Sequence, residues 1–316
     1  MVRIAIIQLN FIRRRLSENE ICGNCQSRLF TAGSAKPLSE LVADNRLETR
    51  ISSIQQPSNW FWEFWEYRGL LYFLMWRDIT IRYRQTVFGV AWNFIRPFMT
   101  IVVFSFIFGT LAKLPSEGVP YPIIVFAGVL PWQFFSNAIS AAGESILGNT
   151  HLVSKVFFPR AIIPISSILV GIFDSFVSLL ALSVLFVYYR FLPSGNLIFL
   201  PVFIALLSLL TVGFGLFFAA LNARFRDFRH VLPFLIQFGI LATPVGYSSA
   251  SVPAAYKSVY LLNPLVGIID GFRWAVCGSP FTSIESLAFS LLFGLVVFLL
   301  GVWFFRKIEA SFADII

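Results

Sequence analysis

The chain has 316 residues, of which 57% are hydrophobic and 13% charged, and its mean hydropathy is +0.78. Soluble domains carry about a quarter charged residues, so this composition excludes an ordinary soluble globular chain and points to a polytopic membrane protein. The net charge of +8 sits mostly in short loops beside apolar runs, where basic residues act as topology signals and not as a nucleic-acid surface.

Residues 1–55 differ from the rest. Residues 4–12 form a short apolar patch, followed by Arg13, Arg14 and Arg15. A cleaved secretory signal has the reverse order, with the basic region first. Residues 16–56 are polar and broken by Gly23, Gly33 and Pro37, which reads as a flexible cytoplasmic tail. Cys22 and Cys25 form a CxxC. A zinc site needs about four ligands, and no second pair or nearby histidine supplies them, so these read as two reduced thiols.

Residues 56–92 form the stretch around which the chain is organised. Trp60, Phe61, Trp62, Phe64, Trp65 and Tyr67 are followed by an apolar run to Trp76, then by Arg77, Arg82, Tyr83 and Arg84. Aromatics suit the headgroup level of a bilayer and arginines suit anionic lipid. The segment reads as an amphipathic interfacial helix on the cytoplasmic face.

Six spans follow, since one span needs about 20 apolar residues. They are predicted over residues 93–112, 123–142, 161–189, 197–221, 231–247 and 284–305. Pro131 predicts a kink or break in the second. The third would reach about 43 Å, more than the hydrocarbon core. Gly213, Gly215 and Ala219 in the fourth are small enough to let helices approach closely. Residues 259–276 are apolar but interrupted by Asn263, Pro264, Gly267, Asp270, Gly271 and Arg273, which fits a re-entrant pair of half-helices between spans five and six. Loops expected inside carry Arg77, Arg82, Arg84, Lys155, Arg160, Arg224, Arg226, Arg229, Arg306 and Lys307. Those expected outside carry Lys113, Arg190, Lys257 and Arg273. That sorting places both termini in the cytoplasm.

The sequence offers no nucleotide-hydrolysing machinery. No Gly-Lys dipeptide exists, so there is no phosphate-binding Walker loop, and no HExxH or nucleophile elbow occurs. Energy for uphill transport would come from a partner or an ion gradient. Asp174 is the only acidic residue deep in a span, where a carboxylate is costly and is a functional hypothesis by default. With no basic or histidine partner evident, it reads as a donor–acceptor contact to a serine or threonine of another span and not as a proton relay. Among 37 Phe, 8 Trp and 9 Tyr, Trp132, Phe134 and Phe135 beside Pro131 are the candidates for a glycan-passing channel; packing against lipid or core is the plainer role of any one aromatic. In residues 144–160, Phe157 and Phe158 lie between Lys155 and Arg160. They suit either docking into a soluble partner or a simple interfacial turn.

Four segments carry a family resemblance. Residues 65–92 (WEYRGLLYFLMWRDITIRYRQTVFGVAW) resemble the entry region of polysaccharide-exporting type-2 ABC permeases, the Wzm-, KpsM- and TagG-like subunits for O-antigen, capsule and teichoic acid. Residues 152–160 (LVSKVFFPR) look like their cytoplasmic coupling helix. Residues 222–229 (NARFRDFR) look like their second cytoplasmic loop, with Thr243-Pro244 following in place. Residues 262–274 (LNPLVGIIDGFRW) look like their outer gate hairpin. The resemblance covers residues 60–305.

The resemblance implies an all-α protein of six transmembrane helices in the cytoplasmic membrane, working as a homodimer with two copies of a separate ATP-binding subunit. ATP and Mg would be held by that subunit, with no cofactor or metal on this chain. Glu144, His151, Lys155, Phe157, Phe158, Pro159, Arg160, Arg224, Arg226 and Arg229 would couple to the ATPase. Arg68, Arg77, Arg82, Tyr83 and Arg84 would meet the pyrophosphate head of a polyprenyl-linked glycan. Asn263, Pro264, Asp270 and Arg273 would form the outer gate. The alternatives are a type-2 ABC exporter of drugs or small lipids, and a membrane enzyme acting on polyprenyl-linked glycans.

Overall fold

The computed structural model describes residues 64–84, 89–113, 118–155, 158–225, 227–253, 256, 259–279, 284–309 and 312. The expected tail over 1–55, the CxxC, the first aromatics of the interfacial stretch, Phe157, Arg226 and Lys257 lie outside the described residues. Every element among the described residues is helical.

Helix α1 (Arg68–Arg84) is followed by α2 (Gly89–Phe104). The path of α2 continues as a π-helical stretch over Ser105–Leu111, closed by the Ala112 N–H donating to the Ile107 carbonyl at 2.9 Å. The longer helices are α3 (Tyr121–Gly148), α5 (Ile162–Tyr188), α6 (Leu200–Arg224) and α9 (Ile284–Glu309); α4 (Thr150–Lys155), α7 (Phe228–Gly239) and α8 (Pro264–Cys277) are shorter. Among the described residues, four stretches are long and apolar enough to cross a membrane: Tyr121–Gly148, Ile162–Tyr188, Gly195–Arg224 and Ile284–Glu309. Pro97–Leu111 is a shorter apolar stretch.

Three sequence expectations change in detail. Pro131 does not break α3, which is one continuous helix of 28 residues. The proline removes one backbone donor, but most residues on either side of it are buried, and packing outweighs a single hydrogen bond. The same helix runs six residues past its expected end, because Gly143, Ser145 and Ile146 are buried against neighbours and only Glu144 of that turn is exposed. The fifth expected span is helical only to Gly239; the chain then turns through Thr243 and Pro244, both buried. A residue preceding proline is biased away from the α conformation, and proline itself cannot donate to continue the ladder.

The packing centres on α3 and α6. Helix α6 lies along α9 and α3, while α3 also meets α5 and α8. The tightest crossing is that of α6 and α9. A Cβ built on Gly213 would lie 2.7 Å from the Phe298 backbone nitrogen, and Gly301 faces the Gly213 backbone in return. Close backbone approach at small residues is how helices associate in lipid, where water supplies no drive. Gly215 does the same against Ile168 and Ala142. Two apolar clusters result. One joins the first half of α3 to α5, α6 and α8. The other gathers Leu74, Ile146, Val153, Ile162, Ala220 and Phe305, where α3, α6 and α9 end together.

Candidate functional site

The end of the bundle at which α3 finishes brings the coupling candidates together. The Asn222 amide of α6 donates to the Gly143 carbonyl of α3 at 2.9 Å in a buried bond. The Asn149 amide donates to the Ser145 carbonyl at 2.9 Å, and its oxygen accepts from Arg77 Nη2 at 2.9 Å. The short α4 therefore hangs from a junction fixed to both α1 and α3. Glu144, His151, Lys155, Arg224 and Arg229 are all exposed around it. Arg306 and Lys307 close α9 nearby, Lys307 standing over the Trp303 ring at 5.2 Å. The basic loops that the charge pattern assigns to one side thus lie on elements that end together.

Phe158 is placed differently from the expectation of a displayed pair. It is buried with Val153 and Ile162 in the apolar cluster of this end, because an aromatic ring beside Pro159 gains more by filling that gap than by facing solvent. Pro159 and Arg160 are half-buried. The Arg160 backbone N–H donates to Glu309 Oε1 at 2.7 Å. Glu309 had no signal in the sequence beyond an acidic residue after an apolar run.

Helix α1 does not lie flat across the end. It packs along α5, and its apolar and basic residues are separated along its length, with no single amphipathic face. Arg68 stands over the Trp65 ring at 5.0 Å, and Arg77 pairs with Asp78 at 2.7 Å. Arg82 is ion-paired with Asp174, and the Tyr83 hydroxyl donates to Asp174 Oδ1 at 2.5 Å. The Tyr83 ring also meets Phe173 edge-on at 6.1 Å. Asp174 lies near the middle of the 27-residue α5. The expectation that this carboxylate lacks a basic partner is therefore corrected: Arg82, 92 residues earlier in the chain, neutralises it. Arg84 is the last residue of α1.

About 40 Å away, at 1.5 Å per residue along α3, the gate candidates form a second site. Asn263 caps α8, its oxygen accepting from the Leu265 N–H at 3.0 Å, with Pro264 at the first helical position. This is the usual sequence for starting a helix. Gly278 ends it in the left-handed region, with φ of 70°. Asn263 Nδ2 also donates to the Ala242 carbonyl at 3.1 Å. Arg273 is 4% exposed and donates to three backbone carbonyls: Tyr247 at 2.7 Å, Val245 at 2.9 Å and Ile124 at 3.3 Å. Asp270, one turn away, accepts from Ser249 Oγ at 2.8 Å. One buried guanidinium thus ties the turn at 243–247 to both α8 and the start of α3. Gly128 makes room for it, since a Cβ there would lie 2.6 Å from Arg273 Nη2. The π-helical stretch adds an aromatic chain beside this lock: Phe108 lies 5.7 Å from Phe104 and 6.4 Å from Tyr247.

Among the channel candidates, Trp132 and Phe134 are buried within the chain and Phe135 is half-buried. Trp132 packs onto Gly239 of α7 and lies 6.0 Å from Phe135, which meets Phe214 of α6 edge-on at 5.9 Å. Phe134 lines a small apolar groove with Leu130, Ile172, Phe176, Ile204 and Phe272.

The chain is 28% identical over 214 residues to an O-antigen export system permease protein, RfbA, of Myxococcus xanthus, covering 67% of this chain and 81% of that one. It is 25% identical over 242 residues to an O-antigen export system permease protein RfbA of Klebsiella pneumoniae, covering 76% and 92%. It is also 25% identical over 240 residues to the polysialic acid transport protein KpsM of Escherichia coli, covering 74% and 92%. Residues 69–277, from the start of α1 to the end of α8, match the family described as ABC-2 type transporter. That match takes in more than half of the chain, and the protein belongs to the ABC-2 type transporter family.

Proposed function

We propose that the chain is the membrane-spanning permease subunit of an ABC exporter that moves a polyprenyl-pyrophosphate-linked surface polysaccharide, of O-antigen, capsule or teichoic acid type, across the cytoplasmic membrane. ATP hydrolysis, with its Mg, takes place on a separate subunit present in two copies, and this chain pairs with a second copy of itself. The chain crosses six times, through α2 with its π-helical stretch, α3, α5, α6, α7 with the turn that follows, and α9. Both termini are cytoplasmic.

The observation that carries this reading is the junction at Asn149. There α3, α4 and α1 meet beside the exposed Glu144, His151 and Lys155. A soluble subunit that closes on nucleotide has an exposed lever to press, and the lever is bonded to the helix that faces the lipid headgroups. Arg68, which stands over the Trp65 ring, receives the anionic head of the substrate, since a basic side chain beside aromatics suits a phosphate at the membrane surface. The sugars then pass between the two copies. At the far side, the turn held by Arg273 forms the exit.

Deletion of the gene tests this. Glycan-loaded polyprenyl lipid accumulating on the cytoplasmic face is the expected result. Accumulation of an unprocessed precursor would instead assign the chain to an enzyme of that lipid. A normal glycan display with altered drug or lipid efflux would assign it to the small-molecule exporters.

A further inference from the structure

Helix α9 ends in a clasp around the coupling segment. Arg160, which lies where that segment passes into α5, is bonded to the end of α9 twice. Its backbone N–H donates to Glu309 Oε1 at 2.7 Å, and its guanidinium Nη1 donates to the Glu309 backbone carbonyl at 2.5 Å. The Phe312 ring lies 5.9 Å from the guanidinium, is fully buried, and meets Phe305 edge-on at 5.5 Å. Residues 160 and 309 are 149 positions apart, so this contact is made only by the folded bundle.

Packing alone does not require this polar pair. Phe305, Ile308 and Phe312 already bury the end of α9 in the apolar cluster. The carboxylate adds direction. It holds one particular backbone N–H, at the junction between the lever α4 and the span α5. A carboxylate bonded to a backbone N–H is a charge-assisted contact, roughly twice as strong as a neutral one. Close-packed interiors transmit displacement, whereas a loose loop absorbs it.

We propose that Glu309, together with Phe312 against the Arg160 side chain, is a positioning residue for energy coupling. It fixes the backbone at Arg160, so that a displacement of α4 enters α5 and is not lost in the intervening loop. This inference rests on the permease reading above. It gives the C-terminal end of the last helix a task beyond anchoring: the terminus sets the stiffness of the coupling segment.

The test uses the full chain in detergent and then in complex with any ATP-binding subunit found to co-purify with it. Hydrogen exchange over residues 158–163 is measured in Glu309→Ala and Glu309→Gln, because glutamine keeps an Oε1 acceptor. Exchange is expected to rise in the alanine variant and to rise much less in the glutamine variant. In vesicles of Escherichia coli polar lipid, stimulation of ATP hydrolysis by the permease is expected to fall about tenfold in Glu309→Ala, the factor that loss of one charge-assisted hydrogen bond corresponds to. It should fall less, about threefold, in Glu309→Gln, which keeps the acceptor and loses the charge. Equal stimulation in all three proteins overturns the proposal, as does an equal fall in both variants. If Glu309→Ala does not accumulate in membranes, Phe312→Leu replaces it, filling the apolar gap while removing the aromatic face under the guanidinium. A fall of about threefold is then expected, and none overturns the proposal. An unmodified chain that binds no ATP-binding subunit overturns the permease reading and this inference together, whereas binding without a Glu309 effect overturns the inference alone.

Discussion

The closest helix crossing in the protein sets up a sharp contrast between two glycines. At Gly213, an added Cβ would lie 2.7 Å from the Phe298 nitrogen and 2.8 Å from its Cα, and 2.8 Å from the Val297 carbonyl carbon. All three are backbone atoms and cannot rotate away, so α6 and α9 would have to part by somewhat under about 1 Å to reach ordinary contact at 3.5 Å or more. Overpacking of this kind costs about 1–3 kcal/mol. The gain in helix propensity from glycine to alanine is about 1 kcal/mol in the other direction. The net cost of Gly213→Ala is therefore about 0–2 kcal/mol, or a fall in Tm of up to roughly 8 °C. Gly294 lies on the same helix α9, where an added Cβ would meet only Leu209 Cδ2 at 4.0 Å. Gly294→Ala should leave Tm unchanged or raise it. The assay is thermal unfolding in detergent followed by tryptophan fluorescence. Equal shifts for the two variants, or a stabilised Gly213→Ala, would refute the backbone-contact account of the α6–α9 crossing.

Three further outcomes follow from the sites. Gly128→Ala and Arg273→Met should each destabilise the turn at 243–247, the first by displacing and the second by removing the guanidinium that three backbone carbonyls share; the double variant should fall well short of additive, read from Tm, because both act on the same lock. Asp174→Asn should retain ATP-driven export while lowering Tm by a few degrees, because it leaves Arg82 with a weaker acceptor; abolished export with unchanged stability would revive an ion-coupled role for Asp174. Lys155→Glu, at an exposed position, should change stability by no more than about 0.5 kcal/mol yet weaken co-purification with the ATP-binding subunit; unchanged co-purification would remove Lys155 from the coupling surface.

Much of the helical plan was legible because its signals are local. Asn263-Pro264 at one end of α8 and Gly278 at the other mark a helix by cap chemistry alone. Gly213 and Gly215 announced a close crossing, although not the partner helix. What escaped the sequence was tertiary pairing. Arg82 looked like a headgroup anchor and Asp174 like an isolated carboxylate, because nothing local relates positions 92 apart. Arg160 and Glu309 are further apart still. Phe158 suggested a displayed ring because a short apolar pair between two basic residues reads the same whether it packs inward or outward. Pro131 suggested a break because the cost of a proline is local, whereas the burial that offsets it comes from α5, α6 and α8.

The measurement that bears most directly on the permease assignment is co-expression with any ATP-binding protein encoded nearby, purification through a tag on this chain, and ATP hydrolysis by what is recovered. A stable complex with two copies of each subunit, hydrolysing ATP at a rate that Lys155→Glu reduces, is the expected result. Recovery of this chain without an ATP-binding partner would contradict the assignment at its source of energy.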